Sequence, residues 1–168
     1  AVWSTERGPK EQMRLTPVPN AKYEKLPIDN FTIANAMKNA GYTTAMVGKW
    51  HLGGGEGYAP ADRGFDLGYV DKIPSKQDFA KTNDPKNLFK EVNMVCDFME
   101  SASKGDKPFF VYLPFHAVHQ GWQARQETID YFEKKPKGKN HNNSLMAGMI
   151  KNLDEGIGIL ANKLKSLG

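Results

Sequence analysis

Apolar residues along the chain fall into short continuous runs and longer helical repeats, separated by loops rich in glycine and proline. Phe31, Ile33, Ala34, Met37 and Ala40 recur at roughly helical spacing. With Asp29-Asn30 ahead as an N-cap and Gly41 behind as a C′ residue, they predict a helix over 31–40. The segment from Tyr42 to Val47 is short and β-branched, which predicts a buried strand. A second helix is predicted over 85–103, with Leu88, Val92, Val95, Met99 and Ala102 on one face. Pro108 to Leu113 forms another unbroken apolar strand, and a short helix follows over 125–134. The last helix starts near Ser144, capped by Asn143 or Ser144 itself. Its stripe of Met146, Met149, Ile150, Leu153, Ile157, Leu160, Leu164 and Leu167 is expected to be core. Residues 1–28, interrupted by prolines, predict an irregular lead-in, and 53–86 a long irregular excursion.

Helix and strand alternate, and the strands are apolar throughout. That order predicts an α/β fold with a mostly parallel sheet flanked by helices. Two strands make a thin sheet, and a helix running to Gly168 with no strand after it suggests a fold that continues. The expectation is a core truncated at both ends.

Composition narrows the picture. The 168 residues fit one domain, and 9 Phe, 6 Tyr and 3 Trp supply a sizeable core, which excludes wholesale disorder. No run approaches the roughly 20 apolar residues of a membrane span. No basic-then-apolar leader is present, so any export signal lies outside the chain. One cysteine, Cys96, excludes an intrachain disulfide framework and a Cys-built zinc site. The net charge of +4 is scattered. Its densest piece, 134–139, is a Pro/Gly-broken loop that reads as a solvated surface rather than a nucleic-acid site. An anionic small substrate suits the same balance.

Open α/β sheets bind ligands at the C-terminal ends of their strands. Gly48-Lys49-Trp50-His51 follows the first predicted strand, and Phe115-His116-Ala117-Val118-His119 follows the second. If the strands are neighbours, one lysine and up to three histidines converge. Lys49 supplies a fixed positive charge for a tetrahedral oxyanion. A nearby histidine donates a hydrogen bond or moves a proton near neutral pH. The combination suits a sulfate or phosphate ester. His116-x-x-His119 on an extended segment places its residues on opposite sides, so no metal site is expected there. His141 reads as exposed, and Cys96 as a small core residue rather than a nucleophile.

The segment from Gly41 to Gly53, GYTTAMVGKWHLG, resembles the second signature of the type I, formylglycine-dependent sulfatases. Asp62-Arg63-Gly64-Phe65-Asp66 resembles the "dRGFD" element that follows it in that family. Lys107 to His119 resembles the "KPFF-strand-H" element, and the helix with Leu153, Asp154 and Gly158 resembles the one before the family's next strand. The likeness runs over 29–168 and is strongest to bacterial arylsulfatases and N-acetylgalactosamine-6-sulfatases. It implies the central portion of an alkaline-phosphatase-like sulfatase domain, a sulfated small molecule or glycan as partner, and a periplasmic or extracellular setting. By the same resemblance Lys49 binds sulfate, His51 assists its release and His119 contacts the ester group, while His116 occupies a variable position.

The family's nucleophile, a cysteine in C-x-P-S-R oxidised to formylglycine, has no counterpart in these 168 residues. Nor do the early Asp pair and the later Asp-Asn pair that hold calcium in the complete family enzyme. The expectations are therefore a sulfuric ester hydrolase fragment, inactive alone, with no metal of its own. The alternatives are a noncatalytic module for sulfated glycans, and a phosphate or phosphonate ester hydrolase of the same superfamily. The GKWHLG string argues against the last.

Overall fold

A computed structural model describes residues 25–71 and 82–168. The lead-in expected over 1–28 thus lies mostly outside the described residues. The elements are α1 (Ile33–Asn39), β1 (Thr43–Gly48), β2 (Leu67–Val70), α2 (Leu88–Ala102), β3 (Phe109–Tyr112), α3 (Gln126–Glu133) and α4 (Ser144–Leu167). Short 3-10 turns at Ala61–Arg63 and Pro85–Asn87 precede β2 and α2.

The first helix begins later than its apolar spacing predicts. Thr32, not Asp29 or Asn30, is the N-cap, because Thr32 and Asn35 form a reciprocal capping box. The Asn35 amide donates to Thr32 Oγ1 at 3.2 Å, and the Thr32 amide donates to Asn35 Oδ1 at 3.0 Å. Two orphan donors of the first turn are satisfied at once.

The sheet has the order β2-β1-β3 with both pairings parallel, as the unbroken apolar strands predict. The excursion expected over 53–86 is not irregular throughout, because it contains β2. Ala45 pairs with Leu67 on one side of β1 and with Val111 on the other. Residues of β1 alternate between two apolar layers. Met46 joins Ala34 and Phe65, with Trp50 and Phe110 against them. Val47 joins Val95 and Met99, with Leu113, Leu160 and Leu167 among the residues packed there.

The stripe expected to be core on α4 is only partly so. Ile150, Ile157 and Leu164 are exposed, while Gly148, Met149, Asn152 and Gly156 are buried. The cause is close approach. A Cβ on Gly156 would lie 2.8 Å from a methyl carbon of Leu88, and one on Gly148 would lie 3.0 Å from the Ala124 Cβ. The helix docks on its small residues, which rotates the bulky ones outward.

Candidate functional site

The C-terminal ends of all three strands meet at one edge of the sheet. At the end of β1 the Asp71 amide donates to the Gly48 carbonyl at 3.0 Å, and the Lys49 amide donates to the Pro114 carbonyl at 2.9 Å. The central strand is thus tied to both neighbours where the Gly48-Lys49-Trp50-His51 loop departs. Gly48 has φ +125°, and a Cβ there would sit 2.6 Å from the Pro114 oxygen. Only glycine fits that crossing.

Trp50 anchors the loop. Its indole N–H donates to the Tyr58 carbonyl at 2.8 Å, and its ring meets Phe65 edge-on, with centroids 6.2 Å apart. On either side of it, Lys49 and His51 line a cavity of about 510 Å³ together with Thr32, Phe65, Tyr112 and Pro114. His51 is exposed and Lys49 half-buried. A flexible ammonium and an imidazole therefore border one open, largely apolar hollow at the strand ends, an arrangement that can hold an anionic group and pass a proton to or from it.

His119 lies on the loop after β3, also exposed, and its amide donates to the His116 carbonyl at 3.1 Å. It is not among the residues lining that cavity. His116 is half-buried behind the loop, with burial pulling its imidazole below the ordinary range, Asp71 pushing it back up and Lys49 lowering it. The site therefore groups Lys49 with His51, and places His119 on the adjoining loop.

Three groups that the sequence reading did not single out lie behind Lys49. Lys86 is buried, and its Nζ donates to the Gln120 carbonyl at 2.9 Å. Burial, then the charge of Lys49, holds it below the usual lysine range. Glu91 is fully buried on α2, and burial, reinforced by Asp71 and Asp84, pushes its carboxyl up to about 8. Asp71, also buried, accepts from the Tyr69 hydroxyl at 3.0 Å and from the Asn87 amide at 2.7 Å. One signal was in the sequence. Glu91 falls three residues after Leu88 and four before Val95, on the apolar stripe itself.

Cys96 is a half-buried free thiol whose pKa is raised by burial, the opposite of an activated nucleophile. His141 is exposed, and with Trp122 and Lys137 it borders a second cavity of about 640 Å³. Among the described residues no helix is long and apolar enough to cross a membrane.

The Asp62-Arg63-Gly64-Phe65-Asp66 string is a brace for this site. The Arg63 guanidinium is buried and donates to the carbonyls of Pro27, Ile28 and Asn30. Gly64 adopts φ +101° where a Cβ would meet the Asn35 amide nitrogen at 2.7 Å. Phe65 enters the core beside Trp50, and Asp66 accepts from both the amide and the hydroxyl of Thr44.

Comparison with known proteins identifies the family. The sulfatase family model aligns with residues 7–168. The chain belongs to the sulfatase family. It is 31% identical over 166 residues to arylsulfatase J of Mus musculus, covering 85% of this chain and 27% of that protein. It is 32% identical over 124 residues to an arylsulfatase of Klebsiella aerogenes, covering 61% of this chain and 27% of that protein. Among solved structures, Ps i-CgsB in complex with k-i-k-neocarrahexaose superposes with a TM-score of 0.65 at 23% identity, over 85% of this chain and 38% of that one. At that identity the likeness speaks for the fold. The chain spans about a quarter of the length of the two arylsulfatases it matches.

Sulfatases use a metal ion. Among the described residues, Asp71, Glu91 and His116 can offer ligand atoms all within 4.8 Å of one another. A set that includes an imidazole nitrogen does not suit calcium, a hard ion that takes oxygen ligands.

Proposed function

We propose that this chain is the central part of a sulfuric ester hydrolase and supplies side chains that bind and turn over a sulfate ester. The observation that carries the reading is the lining of a single cavity by Lys49 and His51 at the tied ends of parallel strands. Lys49 holds the sulfate oxygens by charge, and held close in a half-buried hollow it acts more strongly than in open water. His51, exposed at the rim, delivers or accepts a proton at the bridging or departing oxygen. His119, on the loop after β3 and outside the lining of that cavity, contacts the ester group from the β3 side, a role that rests on the family resemblance.

The nucleophile comes from outside these 168 residues, as does any calcium of the complete enzyme. The substrate class is a sulfated small molecule or glycan, and the setting is periplasmic or extracellular. Family membership and the arylsulfatase relatives support this reading.

The test is hydrolysis of an aryl sulfate by the product of the complete coding sequence. Lys49→Ala is expected to lower kcat/KM by about 10²–10³-fold, the loss seen when one oxyanion-stabilising donor is removed. His51→Ala is expected to lower kcat by about 10²-fold or more. Unchanged hydrolysis in Lys49→Ala would overturn the proposal.

A further inference from the structure

The proposed function assigns no part to Asp71, Glu91 and His116, yet they form the most unusual cluster among the described residues. Its members come from three separate elements. Asp71 directly follows β2, Glu91 sits in the first turn of α2, and His116 lies on the loop after β3. Glu91 is 0% exposed, and neither of its carboxylate oxygens has a hydrogen-bond partner among the described residues. Among the described residues the buried Nε2 of His116 is without a partner as well. A carboxyl group buried in this way costs stability unless something meets it, because its lost hydration is not replaced.

The unpartnered groups of Glu91 and His116 lie close to the Asp71 carboxylate, whose own oxygens accept from Tyr69 and Asn87. A carboxylate oxygen of Asp71, one of Glu91 and a ring nitrogen of His116 all lie within 4.8 Å of each other. A first-row dication held at about 2.0–2.2 Å from each ligand needs donor atoms roughly 3–4 Å apart, a modest closure from that spacing. The charges also suit. Two carboxylates balance one dication. Lys90 Nζ is 4.0 Å from Asp71, Lys86 is engaged with the Gln120 carbonyl, and Lys49 leads off into the loop.

We propose that Asp71, Glu91 and His116 form a structural zinc-class site beneath the Lys49 loop. The imidazole selects for a borderline ion such as Zn²⁺ over Mg²⁺ or Ca²⁺, which favour all-oxygen sets. No thiolate takes part, so the site is not one for Cu⁺. His116 coordinates through Nε2. Asp71 remains oriented by Tyr69 and Asn87, whose hydrogen bonds to it serve as the outer support that ligating carboxylates need. The site would pin β2, α2 and the β3 loop to one point. That point is directly below Gly48, whose Cβ position is 3.6 Å from the Glu91 carboxyl carbon. The ion would thereby stiffen the backbone from which Lys49 projects.

The site is independent of the sulfate reading, and its test does not use hydrolysis. The chain, stripped with a chelator and dialysed, is titrated with ZnCl₂ by calorimetry and by thermal melting. One ion is expected per chain, with a raised Tm, and with no competition from millimolar Ca²⁺ or Mg²⁺. Glu91→Gln and His116→Ala should each weaken binding at least 10-fold. His141→Ala and Cys96→Ser, which alter other zinc-capable side chains, should bind as the parent does. In the unmutated chain, ¹⁵N spectra of the histidines should show the His116 Nε2 signal move on zinc addition, which guards against a variant that fails to fold. Absence of saturable binding, a stationary His116 signal, or equal affinity in Glu91→Gln and His116→Ala would each overturn the proposal.

Discussion

Asp66 Oδ2 accepts two hydrogen bonds from Thr44, one from its backbone N–H at 2.9 Å and one from its hydroxyl at 3.0 Å. The pair joins the turn before β2 to the start of β1, and Lys38 on α1 closes the group with an ion pair of 2.7 Å to the other carboxylate oxygen. One carboxylate thus holds three elements together. Asp66→Ala leaves the Thr44 amide without its acceptor, while the Thr44 hydroxyl keeps the Gly64 carbonyl at 2.8 Å, and should destabilise the chain by about 1–2 kcal/mol, measured by denaturant unfolding.

The same carboxylate sets a pH dependence. The hydrogen bond from Lys38 holds Asp66 below its ordinary value of 3.8, against the opposing effect of burial. A depressed pKa stabilises the fold above the unfolded value and loses that contribution as pH falls through the folded one. The stability gap between the parent chain and Asp66→Asn should therefore be full at neutral pH and narrow below about pH 4. A gap that stays constant down to pH 2 would contradict the assignment.

Arg63 is placed by its shape as well as its charge. The fork reaches three carbonyls of the loop before α1, and a lysine ammonium cannot span them in one geometry. Arg63→Lys should cost about 2 kcal/mol in urea unfolding and loosen the 27–30 loop, visible as faster amide exchange there. Full stability in Arg63→Lys would show that charge alone suffices.

Gly48→Ala forces a Cβ against the Pro114 oxygen in a backbone conformation that alanine rarely adopts. The expected loss is about 2 kcal/mol or more, with chemical-shift changes concentrated at Lys49, Pro114 and Asp71. A silent Gly48→Ala would mean that the strand ends can part without cost.

The 168-residue chain by itself should not hydrolyse aryl sulfates at any pH, because it contains no C-x-P-S-R motif and its one cysteine is a half-buried helical residue with a raised pKa. Turnover above the buffer rate by the purified chain would refute this.

How much of this was legible beforehand depended on where each signal resides. The two long apolar strands and the helices announced themselves through periodicity, and Lys49 and His51 through the run of residues around them. β2 was not legible. Leu67-Gly68-Tyr69-Val70 is four residues long with a glycine inside it, and it becomes a strand only by pairing with β1. The N-cap at Thr32 was hidden because Asn35, its reciprocal partner, is indistinguishable by composition from a surface residue. On α4 the apolar repeat was read correctly as a helix but not as to its facing, since Gly148 and Gly156 decide which side approaches α2 and α3. Glu91 lies on the apolar stripe of α2, and a charge among apolar neighbours is the signal that marks it.

The strand order β2-β1-β3 carries one more consequence. Among the described residues, both β2 and β3 are outer strands, each with one row of backbone N–H and C=O groups unpaired within the sheet. Val70 and Tyr112, at their ends, are 39% and 46% exposed. Handled on its own at high concentration, the chain therefore offers two templates for adventitious strand addition, and cloudiness on concentrating would come from these seams rather than from a loosened core.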